Sequence, residues 1–160
     1  MKGLPRTALR AAIIAAVAGL IGIGVNLVSP RGLPWIYTRP SEVVVGEVRI
    51  TLIDATKAHE FLDDGETIFV DTRDDAEYSE GHVRGALSLP DSNKEERFPS
   101  VQPLLAEEGR IILYCSGPEC EMAEKTAYLL VQLGYRSLMI MSDGFPAWQK
   151  AGYPVEGSMK

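Results

Sequence analysis

Eighteen consecutive residues, Ala11 to Val28, carry no charge, and among them only Asn26 is strongly polar. As a helix at about 1.5 Å per residue the run is about 27 Å long, close to the hydrocarbon thickness of a bilayer. It lies in a stretch unlike the rest of the chain. Residues 1–40 contain no Asp or Glu but five basic residues, Lys2, Arg6, Arg10, Arg31 and Arg39. Residues 41–160 hold all 22 acids against eleven Lys or Arg, a formal charge of −11. So sharp a break marks two environments. We expect a transmembrane anchor over 1–28, a linker over 29–41 with Pro30, Pro34 and Pro40, and one globular domain over 42–158. Lys2, Arg6 and Arg10 flank the run on its N-terminal side, which predicts a cytoplasmic N-terminus and an extracytoplasmic domain, periplasmic in a bacterium. Trp35 and Tyr37 suit interfacial depth. A cleaved signal peptide is the alternative, although no clear small-x-small cleavage site follows Val25. The acidic domain argues against nucleic acid as a partner, because it repels phosphate and shows no basic stripe.

Within the domain, short apolar runs alternate with helical patterns. Strands are expected over 42–50, 67–70, 86–89, 110–114 and 137–141. Helices are expected from Asp54 to Gly65, over 74–80, over 121–133 and over 145–150, with 91–103 left as loop. The pattern predicts an α/β domain, a central parallel sheet with helices on both faces. Ligands of such sheets bind beyond the C-terminal ends of the strands. Cys115 stands there, directly after the run Arg110–Tyr114.

The segment Cys115-Ser116-Gly117-Pro118-Glu119-Cys120-Glu121 passes from strand to helix within a few residues. Gly117 permits a tight turn and Pro118 suits a first helical turn. Such a turn is expected to gather backbone N–H groups around the sulfur and to favour a thiolate or persulfide. The plain alternative is a buried cysteine used for packing. Cys120 reads as a disulfide partner, as a thiol that resolves a persulfide on Cys115, or as an inert residue facing the helix.

Three motifs go further. Asp71-Thr72-Arg73, Glu77-Tyr78 and Gly81-His82-Val83-Arg84-Gly85-Ala86 resemble the first signature of the rhodanese-like sulfurtransferase family. The cysteine loop falls where that family keeps its catalytic loop. Asp143-Gly144-Phe145-Pro146-Ala147-Trp148, followed by Ala151-Gly152-Tyr153-Pro154-Val155, looks like its C-terminal signature. The resemblance covers residues 48–156. It implies a rhodanese fold in which Cys115 takes sulfane sulfur from a small donor or a protein persulfide and passes it to a thiol acceptor, with no metal or organic cofactor. It also implies structural roles for Asp71, Arg73, Glu77 and His82, with Glu77 and His82 tying a short helix to the next turn.

The loop departs from the family's usual pattern. It has no arginine for an oxyanion, and Glu119 and Glu121 flank the cysteine, which disfavours thiosulfate. Its six residues, Cys115 through Cys120, match the sulfurtransferase branch. A phosphatase would need a clamping arginine. Two readings stand beside sulfur transfer: a non-catalytic binding module of the same fold, and a thiol–disulfide device built from Cys115 and Cys120.

Overall fold

The structure, a computed structural model, describes residues 6–28, 41–105, 109–118 and 120–158. Most of the expected linker, with Trp35 and Tyr37, and Glu119 of the cysteine loop lie outside the described residues. The chain divides into two compact units, residues 1–39 and 40–160. In the first, α1 (Arg6–Val28) is one helix. Its stretch Thr7–Asn26 has a mean hydropathy of 2.2 and buries none of its residues within the protein. By length and composition it is able to cross a membrane or to serve as a signal sequence. Apolar side chains stand exposed all round it, Ile14, Val17, Leu20 and Ile21 among them, so it has no water-facing side.

The second unit is built on a six-stranded sheet in the order β1-β2-β7-β6-β3-β5. Its strands are β1 (Glu42–Val45), β2 (Val48–Ile53), β3 (Thr67–Asp71), β5 (Leu87–Ser88), β6 (Arg110–Tyr114) and β7 (Leu138–Met141). All neighbours run parallel except β1 and β2. The expected parallel sheet is therefore mixed. What the sequence suggests as one strand over 42–50 is a hairpin, turned at Gly46 with φ +60. Glycine takes that conformation without a Cβ penalty. A separate antiparallel ribbon pairs β4 (His82–Val83) with β8 (Val155–Glu156), and neither strand is predicted from the sequence.

Central strand β6 has strands on both sides and helices on both faces, so its residues are apolar without alternation. Ile111, Leu113 and Cys115 join one core cluster with Ala123, Ala127 and Leu130 of α5 (Met122–Gln132). Phe98 and Val101 of α4 (Lys94–Val101) belong to the same cluster. Ile112 and Tyr114 join the other, with Ala55 and Ala58 of α2 (Ala55–His59) and Phe145 and Trp148 of α6 (Gly144–Lys150). The odd-numbered side chains of β6 thus point at α5, and Cys115 continues their series. A last helix, α3 (Asp75–Glu80), is capped by the Asp74 carboxylate, which accepts from Glu77 N.

Candidate active site

Cys115 follows β6 at the C-terminal edge of the sheet and is 3% exposed. Its sulfur is bonded to that of Cys120, and the two Cα atoms are 6.4 Å apart, within the usual span of a disulfide. Ser116, Pro118 and Glu121 are exposed, Gly117 is buried and Cys120 is half-buried. Pro118 does not open a helix. Instead the Cys120 N–H donates to Gly117 O at 3.1 Å, closing a turn, and α5 begins only at Met122. The expected ring of N–H donors does not form among the described residues. The polar atoms beside the Cys115 sulfur are carbonyl oxygens, of Cys120 at 3.3 Å and of Gly117 at 3.9 Å. Glu121 pairs with Lys125 at 3.2 Å.

The loop is held from two directions. From one side comes α6. Phe145 N donates to Cys115 O at 2.8 Å. Gly144, with φ +70, lies so close that a Cβ there would stand 2.5 Å from Cys115 O and from Gly117 N. The glycine of the Asp143-Gly144-Phe145-Pro146 motif is thus a place where two backbones touch. From the other side comes a polar chain starting at the end of β3. The Arg73 guanidinium binds Asp71, with Nη2 to Oδ2 at 2.6 Å and Nε to Oδ1 at 3.0 Å, and donates to Gly81 O at 2.6 Å. Asp71 is fully buried and Arg73 is 5% exposed. Burial opposes the Arg73 charge, but the hydrogen bond and charge of Asp71 outweigh it and raise the arginine's pKa. Arg73 also lies over the Phe145 ring at 4.2 Å and 3.8 Å from Glu77. The Glu77 carboxylate in turn accepts from Ser116 Oγ at 3.1 Å.

Of the sequence-predicted residues, Asp71, Arg73, Glu77 and Ser116 are therefore joined in one line of contacts leading to Cys115. His82 is not part of it. Its ring stacks on Tyr78 at 3.8 Å, its Nδ1 is 2.8 Å from Tyr78 O, and Nε2 is 3.9 Å from Glu156. Glu77 and His82 thus serve different ends of α3. Tyr114 supports the same ground from beneath. Its hydroxyl accepts from Val83 N at 3.0 Å, and burial, with the charge of Asp71, pushes its pKa well above the usual tyrosine value. Gly144 and Phe145 were not singled out as site residues from the sequence. The glycine inside a motif was the available signal, since it marks close backbone approach.

An open cleft of about 690 Å³, bounded by Arg73, Glu77, Glu80, Phe145, Pro146 and Gln149, shares Arg73, Glu77 and Phe145 with the supports of the loop. Its free charge is negative, because Asp71 already neutralises Arg73. Among the described residues there is no cluster of His, Cys, Asp and Glu able to hold a metal.

A sequence model of the Rhodanese-like domain matches residues 54–151, more than half of the chain. The chain belongs to the rhodanese-like family. It is 33% identical over 92 residues to the HTH-type transcriptional regulator Rv0324 of Mycobacterium tuberculosis, covering 58% of this chain and 38% of that protein. It is 35% identical over 110 residues to the tRNA uridine(34) hydroxylase of Photorhabdus laumondii, covering 64% of this chain and 30% of that one. Among solved structures, the BH2092 protein of Bacillus halodurans superposes with a TM-score of 0.58 at 34% identity, over 66% of this chain and 76% of that one. The rhodanese-like chain thus spans well under half of the curated relatives it matches.

Proposed function

We propose that this rhodanese-like chain is a sulfurtransferase that carries sulfane sulfur as a persulfide on Cys115, held at a membrane by α1 with its domain on the extracytoplasmic face. The observation that carries the reading is Cys115 itself. It stands at the C-terminal end of the central strand, in a turn fixed by the backbone contacts of Gly144 and Phe145 and by the line from Asp71 to Ser116. That much framing around one sulfur exceeds what packing a cysteine needs. In the reaction, the Cys115 thiolate attacks the outer sulfur of a donor persulfide, and the donor thiolate leaves. An acceptor thiolate then takes that sulfur and frees Cys115. No cofactor is required. The Glu77 and Glu80 side of the cleft favours neutral or protein-borne donors and thiol acceptors over thiosulfate.

The bonded pair Cys115–Cys120 favours a second reading, a thiol–disulfide device. One experiment separates the two. The full chain with Cys120→Ser is reduced, freed of reductant, and exposed in detergent to an alkyl persulfide or to thiosulfate. Intact mass is expected to rise by one sulfur atom, and to stay unchanged when Cys115→Ser is added. A Cys120→Ser protein that takes no sulfur from any donor overturns sulfur transfer and leaves the thiol–disulfide reading.

A further inference from the structure

Sulfur transfer by itself uses one cysteine, whereas the structure bonds two. We propose that Cys120 is a second catalytic residue, which discharges the Cys115 persulfide reductively and makes the domain a sulfane-sulfur reductase that releases hydrosulfide. The inference rests on Cys115 carrying sulfane sulfur.

The step is a thiol exchange within the turn. The Cys120 thiolate attacks the inner sulfur of the Cys115 persulfide. The Cys115–Cys120 bond forms, the bond between the inner and outer sulfur breaks, and the outer sulfur leaves with the electron pair and its proton as HS⁻. The sulfane sulfur gains the two electrons that the cysteine pair loses, so this step needs no outside oxidant. A dithiol reductant then resets the pair. Its first thiolate attacks the bridge, its second resolves the mixed disulfide, and both cysteines return reduced. Over the cycle, one donor persulfide and one dithiol give one donor thiol, one hydrogen sulfide and the oxidised dithiol.

Three observations carry the proposal. First, the turn holds the two cysteines within bonding range, with Cα atoms 6.4 Å apart. Backbone contacts brace the same turn: Cys120 N to Gly117 O, Phe145 N to Cys115 O, and the close seat of Gly144. A nucleophile fixed in this way competes as an intramolecular reactant against any acceptor in solution. Second, the bonded turn gives an anionic outer sulfur little to bind. Carbonyl oxygens stand at 3.3 and 3.9 Å from the Cys115 sulfur, and the sequence from Cys115 to Glu121 has no Lys or Arg. A persulfide anion is poorly retained there, and departure of HS⁻ relieves it. Third, the two cysteines differ in access, since Cys115 is buried and Cys120 is only half-buried. An outside dithiol therefore meets Cys120 first, and Cys115 leaves as the thiolate ready to be loaded again.

The test uses the reduced full chain in detergent, without oxygen, with a sulfide-free alkyl persulfide supplied in slight excess. Free sulfide and intact mass are followed together. Wild type is expected to release one equivalent of hydrosulfide per chain and to end as the disulfide, two hydrogens lighter than the reduced protein. Cys120→Ser and Cys120→Ala are expected to keep the added sulfur and release none until an external thiol is added. A wild-type chain that keeps the sulfur with Cys120 still open to alkylation overturns the proposal, as does equal sulfide release from the Cys120 variants. Failure of the Cys120 variants to take up any sulfur overturns the sulfurtransferase reading itself, and is told apart by the absent mass gain.

Discussion

At the scale of single residues, the site is shaped more by glycine and a buried ion pair than by the side chains that flank the sulfur. Gly144 is the clearest case. It has φ +70, and a Cβ there would overlap two atoms of the cysteine turn. Gly144→Ala is expected to cost about 2–4 kcal/mol, combining the penalty of the left-handed conformation with that of forced displacement. A fall in the urea midpoint without a change in slope would show it. The same variant should take up sulfur poorly at temperatures where it is still folded, because the turn must shift. Full uptake with unchanged stability would mean that the contact is loose. The Arg73–Asp71 pair explains why the Asp71-Thr72-Arg73 motif needs arginine. Two donors grip one carboxylate while a third bond holds Gly81 O, a pattern that lysine cannot reproduce.

At the scale of elements, the helix and strand pattern was legible wherever apolar residues recurred without interruption. Arg110–Tyr114 is a strand within the expected bounds, and α5 keeps to Met122–Gln132 inside the expected 121–133. α4 was not legible, because Pro99 reads as a breaker. The helix forms around it, since Phe98 and Val101, three residues apart, are both buried in the core. Nothing in the sequence marks the β4–β8 ribbon, because two-residue strands carry no period. The disulfide was only one of several readings for Cys120, since sequence spacing does not fix the path of a turn. One element junction invites a pH test. Asp64 accepts from Glu66 N, Thr67 N, Thr67 Oγ1 and Arg110 Nη1 at 2.7–2.9 Å, and so joins the starts of β3 and β6. Partial burial raises its pKa, but the hydrogen bonds and the Arg110 charge outweigh this and leave it below the ordinary aspartate value. A lowered folded pKa stabilises above the unfolded pKa and ceases to do so as acid passes the folded one. Asp64→Asn is therefore expected to lose about 1 kcal/mol at pH 7. The gap to wild type should hold down to about pH 4 and narrow below it. Urea midpoints of both proteins across that range check this; a gap that widens in acid would contradict it.

At the scale of the whole molecule, the chain joins one helix with a long uncharged run, Ala11 to Val28, to an acidic domain of the rhodanese-like family. The basic flank and the length of α1 lead us to expect a C-terminal reporter active only outside the cytoplasm, and a protein that stays with membranes through alkaline extraction. A reporter active in the cytoplasm would overturn the placement, and would also weaken the case for an oxidised cysteine pair at rest. The way the cysteine turn is seated has a consequence for protein engineering. Its fixed points are the carbonyl of Cys115, the backbone of Gly117 against Gly144 and the Ser116 bond to Glu77; the exposed side chains of Pro118 and Glu121 are not among them. Those two positions form an exchangeable cassette on a constant frame. Randomising them while keeping residues 117 and 144 as glycine should yield libraries that retain the shape of the turn and differ in which donor they accept.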